Sequence, residues 1–340
     1  MIIQLDKQIQ IQDRISIIQK IKSMSYTVAS VTTQKDTYLI CLGNAETDIR
    51  LIGSLKGVQD VHVVSESYKL VSRKWKTTTS AIKVDNDVVI GKGDCTIMAG
   101  PCSIESEEQV NAIVKHLVAN NVKVMRGGVF KPRSSPYAFR GMGIEGLKMF
   151  HTICRQAGIS IITEVMEVVQ IEQMHDFVDI FQVGARNSQN FNLLDALGKI
   201  DKPILLKRGI SGTIDELLHS AEYIFSSGNE KLMLCERGIR TFENGYRNTF
   251  DINAIALLKK KTHLPIIADP SHGVGIREHV PTIALAALVA GADGLIYEIH
   301  EKPEEALSDS QQTLNFDESA MLINKLMRLQ STLYEITGCI

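Results

Sequence analysis

The chain has 340 residues, 37 Lys and Arg against 39 Asp and Glu, and a formal net charge of −2. This balance argues against a basic nucleic-acid-binding protein and against a highly charged disordered chain. An apolar fraction of 44% is enough to fill a large core. The longest apolar stretch, residues 282–292, is too short to cross a bilayer, and the N-terminus lacks a secretory-signal pattern. We therefore expect a cytoplasmic protein that binds neither nucleic acid nor membrane.

The N-terminal part of the chain has the pattern of a small α/β unit. None of the eight prolines precedes Pro101. The pattern predicts, in order, a strand, a helix, two strands, a short helix and a strand, at residues 1–5, 12–24, 27–32, 37–42, 46–54 and 61–64. This βαββαβ order is typical of a ferredoxin-like domain. We expect that domain over residues 1–70 and a polar linker with one hairpin over residues 71–93.

From residue 94 to residue 340 the pattern changes to short apolar runs that alternate with helical periods. The runs cover residues 96–99, 122–125, 159–163, 177–183, 203–206, 231–235, 265–268 and 294–297. Apolar runs without alternation are typical of parallel strands buried on both faces. Eight such units predict an α/β fold of the (β/α)₈ type, a TIM barrel. A doubly wound sheet is the competing architecture, but it usually has fewer strands.

Reactive side chains follow every predicted barrel strand, which is where a barrel places its active site. In chain order they are Cys102, Arg126, Glu164, Arg186, Lys207, Arg237, Asp269 with His272, and Glu298. Nearby loop positions add further cations at Lys131, Arg133, Arg140, Arg208 and Arg240. So many cations on one rim of a nearly neutral chain predict a small, highly anionic ligand. Ser134 and Ser135, next to Arg133, have the side chains that a phosphate site requires.

A second group of residues has the chemistry of metal ligands. Cys102, His272, Glu298 and Asp309 combine a thiolate, an imidazole and two carboxylates, a mixed set suited to a divalent transition metal. Three of them follow predicted strands 1, 7 and 8, which are neighbours in a closed barrel. The six cysteines show no C-x-x-C pair, so we expect reduced thiols. His151 and His300 are interpreted as structural.

Residues 141–146 match the dinucleotide-binding pattern G-x-G-x-x-G. The mechanism of that motif requires a strand directly before the glycines. Here a loop-like segment, PRSSPYAFR, precedes them. We therefore do not interpret it as a nucleotide site.

Long motifs in the chain resemble the 3-deoxy-D-arabino-heptulosonate 7-phosphate (DAHP) synthases, in particular their type Iβ subfamily. They are AGPCSIES, RGGVFKPRSSPYAFRG, QVGARNSQNFNLL, LLKRG, CERGIRTFENGYRNTFD, DPSHGVG and YEIH with ALSDSQQ. The N-terminal unit is similar to the ferredoxin-like regulatory domain of some members. The resemblance implies a 3-deoxy-7-phosphoheptulonate synthase, a transferase that condenses phosphoenolpyruvate with erythrose 4-phosphate and water and releases phosphate. This is the first step of the shikimate pathway to chorismate and the aromatic amino acids.

The same resemblance implies roles for individual residues. Cys102, His272, Glu298 and Asp309 would bind one divalent metal ion: manganese, iron, cobalt or zinc. Arg126, Lys131, Arg186, Lys207 and Arg237 would hold phosphoenolpyruvate, and Arg133, Ser134 and Ser135 the phosphate of the aldose. Lys131, Cys102, His272 and Glu164 would take part in catalysis. Glu164, or a hydroxide near Lys131, would activate the attacking water.

Two other functions remain open. A 3-deoxy-D-manno-octulosonate 8-phosphate synthase uses arabinose 5-phosphate, but those enzymes typically have an Ala-Asn-Arg-type sequence where this chain has residues 131–134, KPRS. The other is a catalytically silent homologue that senses aromatic amino acids, against which the complete set of ligands and cations argues.

Regulation and assembly follow from the resemblance alone. It implies a homotetramer with an allosteric amino-acid site in the N-terminal domain. Residues 28–33, VASVTT, lack the histidine expected for tyrosine binding. We therefore expect tyrosine or phenylalanine as the effector.

Overall fold

The structure is a computed structural model that describes residues 1–43, 47–84, 88–131, 137 and 139–338. Its N-terminal unit consists of β1 (Ile2–Leu5), α1 (Ile11–Ser23), β2 (Thr27–Thr32), β3 (Thr37–Leu42), α2 (Ile49–Gly53) and β4 (Val58–His62). The four strands form an antiparallel sheet in the order β2-β3-β1-β4. This order confirms the predicted ferredoxin-like topology.

Strand β4 begins earlier in the sequence than predicted. Residues 61–64 were expected, but β4 covers Val58–His62. Ile3 pairs with Val61 and Gln4 with Asp60. Because backbone hydrogen bonds define a strand whatever its side chains, β4 includes the exposed polar residues Gln59 and Asp60.

Residues from both faces of this sheet join a hydrophobic core. On one face, Ile17 and Ile21 of α1, one helical turn apart, pack with Leu39 and other sheet residues. On the other face, Tyr38 and Ile40 join the main core of the barrel. The N-terminal unit therefore packs directly against the barrel.

The segment between the sheet and the barrel contains the expected hairpin. It is formed by β5 (Ile82–Lys83) and β6 (Val89–Ile90). Ile82 and Ile90 are buried in a cluster with the inward-facing barrel residues Met98 and Met233. The hairpin therefore fills the barrel interior at the end opposite the strands' carboxyl termini.

Eight parallel strands form a closed barrel, which confirms the predicted TIM barrel. They are β7 (Thr96–Gly100), β8 (Val124–Arg126), β9 (Ser160–Val165), β10 (Ile180–Val183), β11 (Ile204–Lys207), β12 (Leu232–Glu236), β13 (Ile266–Ala268) and β14 (Gly294–Glu298). The helices are α3 (Glu107–Ala119), α4 (Gly143–Gln156), α5 (Val168–Met174), α6 (Phe191–Leu197), α7 (Ile214–Ser226), α8 (Ile252–Lys261), α9 (Pro270–Val274), α10 (Val280–Val289) and α11 (Phe316–Thr337). Strands β13, β14 and β7 are consecutive around the barrel.

One predicted strand is shorter than expected. The apolar run 177–183 predicts a strand from Phe177, but β10 begins at Ile180 and residues His175–Phe177 form a 3₁₀ turn. Asp179 is buried, and its carboxylate accepts a hydrogen bond from the Ile161 backbone amide at 2.8 Å. This contact joins Asp179 to the neighbouring strand β9 just before β10 starts.

Two further expectations concern the whole chain. Within the described ranges, no helix is both long and apolar enough to cross a membrane. The cytoplasmic location stays a prediction. Five of the six cysteines are free thiols, as predicted, and the sixth, Cys339, lies outside the described residues.

Candidate active site

A cleft of about 230 Å³ opens at the carboxyl ends of the barrel strands. Seven cationic side chains line it: Arg126, Lys131, Arg186, Lys207, Arg237, Arg240 and Arg247. The first six are among the cations predicted for this rim. The cleft therefore has the focused positive charge that a small polyanion requires.

Two of these cations are paired with buried carboxylates beneath the cleft. Arg126 donates from Nη1 to Glu298 Oε1 at 3.0 Å, and Lys207 Nζ binds Asp269 Oδ2. Burial opposes the charge on Arg126, but Glu298 and then Cys102 keep the pKa of its guanidinium above the usual value. Both pairs are buried, so each cation has a carboxylate partner in a site that is largely shielded from water.

Arg237 and Arg186 are differently placed. Arg237 donates to the backbone oxygens of Gly238 and His272 at 3.1 and 3.3 Å, and burial lowers the pKa of its guanidinium. Arg186 is exposed at the mouth of the cleft. Because its two hydrogen bonds go to backbone oxygens and not to a carboxylate, the buried Arg237 is well suited to bind an anionic ligand.

A cluster of potential metal ligands lies beside the cleft. One donor atom each from Cys102, Glu298 and Asp309 lies within 4.8 Å of the other two. His272 faces two of them, with Nε2 at 3.4 Å from Glu298 Oε1 and 3.7 Å from Asp309 Oδ2. The barrel therefore brings the four predicted ligands together, because β13, β14 and β7 are neighbours.

The chemistry of this cluster fits a divalent transition metal. Thiol, imidazole and carboxylate groups converge there, and Cys102 Sγ lies 3.2 Å from Asp309 Oδ2. Burial and then Glu298 raise the pKa of the Cys102 thiol to about 12. A metal cation bound here would offset the mutual repulsion of the Cys102 thiolate and the two carboxylates.

Asp269 joins the metal-ligand cluster to the cleft. Its carboxylate accepts from Lys207 Nζ, from His272 Nδ1 at 2.8 Å and from the His272 backbone amide at 3.0 Å. Burial opposes its charge, but His272 and then Lys207 hold the pKa of the Asp269 carboxyl well below its usual value. A hydrogen bond at Nδ1 leaves His272 Nε2 to face the other ligands, as in carboxylate–histidine–metal sites.

Glu164, at the end of β9, also lines the cleft. It and Asp309 are the only carboxylates among the described residues that do so. Gln182 Nε2 lies 3.5 Å from Glu164 Oε2, and a Cβ atom at Gly184 would overlap the Glu164 carboxylate. The side chain of Glu164 therefore occupies space that only glycine at position 184 provides.

Two predicted rim cations are not part of the cleft. Arg208 instead donates from Nη1 to Glu236 Oε2 at 2.8 Å and to Asp251 Oδ2 at 2.9 Å, because it turns away from the barrel interior. The side chain of Arg140 is exposed. Its backbone oxygen accepts a hydrogen bond from the backbone amide of Lys131. The prediction that these two side chains join the anion site is wrong.

Other predicted residues lie elsewhere or outside the described part. Arg133, Ser134 and Ser135 are outside the described residues. His300 Nε2 lies 3.8 Å from Glu105 Oε2, and His151 contacts the ring of Phe177.

Arg247 and Gln312 are among the residues at the site that were not predicted. Arg247 lines the cleft and donates to Asp309 Oδ1 at 3.4 Å, and Gln312 donates to Glu298 Oε2 at 2.6 Å. Arg247 follows β12 by eleven residues and returns to the cleft because Ile239 pairs with Thr249. The Asn-Gly pair at 244–245 was the sequence signal for this hairpin-like return.

Comparison with known proteins agrees with this geometry. Residues 77–335 match the DAHP synthetase I family. The chain is 46% identical over 280 residues to a phospho-2-dehydro-3-deoxyheptonate aldolase of Thermotoga maritima, a match that covers 82% of each chain. It is 28% identical over 269 residues to a 2-dehydro-3-deoxyphosphooctonate aldolase of Syntrophotalea carbinolica, covering 74% of this chain and 96% of the relative.

A solved structure is similar over nearly the whole length. It is a phospho-2-dehydro-3-deoxyheptonate aldolase (DAHP synthase) from Thermotoga maritima, with a TM-score of 0.78 and 40% identity. The match covers 98% of this chain and 97% of that one. Together with the barrel, the cationic cleft and the thiol–carboxylate cluster, these matches show that the chain belongs to the DAHP synthetase I family.

Proposed function

We propose that the protein is a DAHP synthase that condenses phosphoenolpyruvate with erythrose 4-phosphate and water to give DAHP and phosphate. The observation that carries this proposal is the cleft with seven cations beside a cluster of metal-ligand type. Each phosphate brings about 1.5 to 2 negative charges at neutral pH, so two phosphates and a carboxylate need several cations. The two Thermotoga maritima proteins compared above, one by sequence and one by structure, have this activity in their names.

Phosphoenolpyruvate would be held by five of the cleft cations. We assign its phosphate and carboxylate to Arg126, Lys131, Arg186, Lys207 and Arg237, which all line the cleft. Lys131 Nζ donates to the Cys102 backbone oxygen at 3.0 Å and to Sγ at 3.1 Å. It therefore joins the anion site to the metal-ligand cluster.

The aldose would bind with its aldehyde near the cluster. Arg133, Ser134 and Ser135 are assigned to its phosphate from their sequence motif alone. Cys102, His272, Glu298 and Asp309 would hold one divalent metal ion, with manganese, iron, cobalt and zinc all compatible with the donors. When bound there, the metal supplies Lewis-acid polarisation of the aldehyde carbonyl.

The bond changes follow from this placement. C3 of phosphoenolpyruvate forms a bond to the aldehyde carbon, whose oxygen takes up a proton. Water then adds at C2 and gives up one proton; the C2 hydroxyl loses the second proton to the leaving group as the bond from C2 to the bridging oxygen breaks, so the C2 carbonyl forms and phosphate leaves with that oxygen. Glu164 is the cleft carboxylate outside the metal-ligand cluster, so we assign it the proton of the attacking water. A hydroxide near Lys131, which lines the cleft together with Glu164, is the other candidate for this step.

Replacing the thiol tests the assignment. Cys102→Ala is expected to abolish phosphoenolpyruvate consumption while leaving the fold and the far-UV circular dichroism intact. Cys154→Ala is the matched control, because Cys154 is also a buried thiol but packs against Met125 behind the barrel wall. Unchanged turnover in Cys102→Ala would remove the proposed metal site.

The choice of aldose is tested by direct comparison. Phosphoenolpyruvate consumption is measured with erythrose 4-phosphate and with arabinose 5-phosphate at equal concentration. We expect faster turnover with the four-carbon aldose. Faster turnover with arabinose 5-phosphate would identify an octulosonate phosphate synthase, and no turnover with either would favour a silent sensor.

Regulation and assembly complete the proposal. Residues 1–70 would form the regulatory domain, 71–93 the linker with its hairpin and 94–340 the catalytic barrel, in a homotetramer. Tyrosine or phenylalanine would bind the regulatory domain and inhibit the enzyme. Titrating each amino acid into the full-length enzyme tests this, and insensitivity to both would refute it. Light scattering on the eluted protein gives the subunit number.

A further inference from the structure

Arg247 and Gln312 have no part in the reaction as proposed, although both touch the metal-ligand cluster. We propose that they form a positioning pair that orients the carboxylates of Asp309 and Glu298 for the metal. This inference deepens the proposed function and rests on its metal site.

Asp309 presents its two oxygens to different partners. Oδ2 lies 3.2 Å from Cys102 Sγ and 3.7 Å from His272 Nε2, so it faces the cluster. Oδ1 faces outward and lies 3.4 Å from Arg247 Nη1. The guanidinium therefore holds the oxygen that the cluster does not use.

The two carboxylate oxygens of Glu298 also face different partners. Oε1 faces the cluster, 3.4 Å from His272 Nε2, and also accepts from Arg126. Oε2 accepts from Gln312 Nε2 at 2.6 Å. The amide therefore fixes the rotation of the carboxylate, and with it the direction of the oxygen that faces the cluster.

The two positioning residues are bonded to each other. Arg247 Nη1 donates to Gln312 Oε1 at 2.7 Å. The side-chain amide of Gln312 accepts from the guanidinium with its oxygen and donates to the Glu298 carboxylate with its nitrogen. Gln312 is only 2% exposed, so water cannot easily replace either bond.

The backbone places both residues on the loops that carry the cluster. Asp309 has a φ of 51°, in the left-handed region, and starts the 3₁₀ turn that contains Gln312. The backbone oxygen of Asp309 accepts a hydrogen bond from the backbone amide of Gln312 at 3.3 Å. The Arg247 amide donates to Val274 O at 3.0 Å, in the helix that contains His272. A shift of either positioning residue would therefore move a ligand.

Cobalt binding tests this proposal without relying on activity. The affinity of the full-length enzyme for Co²⁺ is measured by competition with a chelator, and the thiolate-to-cobalt and d–d absorption bands are recorded. Gln312→Met and Arg247→Met are expected to weaken Co²⁺ binding by about 10- to 100-fold and to shift the d–d bands, as is typical when partners of metal ligands are removed. Arg247→Lys, which keeps the charge and a donor, should recover part of the affinity.

The control is Gln330→Met on α11, whose side chain contacts Asp94 at 3.0 Å away from the cleft. It should bind Co²⁺ like the parent. If Gln312→Met does not fold, Arg247→Met decides, since that side chain is 41% exposed. Parental affinity and an unchanged spectrum in the folded variants would overturn the positioning role alone. A parent enzyme without a thiolate-to-cobalt band would overturn the metal site as well.

Discussion

At the scale of single residues, Gly184 is the residue on which the position of Glu164 depends most directly. The added methyl group of Gly184→Ala would overlap the Glu164 carboxylate and push it from the cleft. Misplacement of a catalytic group by about 1 Å can lower the rate by about 100-fold. We therefore expect kcat to fall by that order in Gly184→Ala, measured from phosphoenolpyruvate consumption.

Gly53→Ala is the control for this substitution. Its Cβ would lie 4.0 Å from the nearest side chain that it faces, and its backbone has no positive φ. We expect parental kinetics for Gly53→Ala. Parental kinetics for Gly184→Ala would show that Glu164 need not occupy its present position.

The predictability of the site from the sequence differs between residues next to strands and residues far from them. Lys207 and Arg237 line the cleft, as expected for residues at the end of a barrel strand. Arg208 was not, because its orientation depends on Glu236 and Asp251, whose contacts are long-range. Arg247 and Gln312 were missed since their roles depend on a loop return and on tertiary hydrogen bonds. The Asn-Gly pair at 244–245 indicates only the turn, and local pattern contains no information about tertiary hydrogen bonds.

At the scale of elements, the hairpin β5–β6 stabilises the barrel by closing its lower end. Ile82 is 2% exposed and belongs to the cluster in the barrel interior. Truncating a buried isoleucine to alanine typically costs about 2–5 kcal/mol. We therefore expect a clearly lower Tm for Ile82→Ala in scanning calorimetry, with the KM for phosphoenolpyruvate unchanged, because the cleft is at the other end.

Val63→Ala is the matched control for the hairpin. Val63 is 64% exposed, so its truncation should change the free energy of unfolding by no more than about 0.5 kcal/mol. An Ile82→Ala protein as stable as this control would show that the hairpin contributes little to the barrel.

The elements themselves were largely predictable because burial dictates apolar runs. All eight barrel strands lie within or next to the predicted runs, since each is covered on both faces. The two errors, in the boundaries of β4 and β10, occur at polar residues. Gln59 and Asp60 are exposed residues of β4, and the Asp179 carboxylate accepts from the Ile161 backbone amide of β9.

At the scale of the whole molecule, the segment after β4 is packed onto the barrel. His263, just before β13, connects the two: Nε2 lies 2.8 Å from Leu70 O, and Nδ1 lies 2.8 Å from Ser80 Oγ. The Trp75 ring meets the His263 ring at 5.5 Å and the Tyr38 ring at 5.3 Å. These contacts link the N-terminal sheet, the polar segment after β4 and the barrel. The composition of the polar segment did not predict them.

The burial of His263 makes the stability of this assembly depend on pH. Burial and then the charge of Lys76 lower the pKa of His263 to about 3 from its ordinary value of 6.5. Below pH 6.5 the unfolded chain binds a proton at this histidine that the folded chain does not bind. Its contribution to stability is therefore complete above about pH 6.5 and falls by about 1.4 kcal/mol for each pH unit below that, until the folded pKa is reached.

The parent and His263→Gln are compared by urea unfolding between pH 8 and pH 5. We expect the free energy of unfolding of the parent to fall more steeply below about pH 6.5, because glutamine binds no proton. His279→Gln, at an exposed histidine, should retain the parental pH dependence. Equal slopes for His263→Gln and the parent would mean that His263 becomes protonated without loss of the packing between the segment and the barrel.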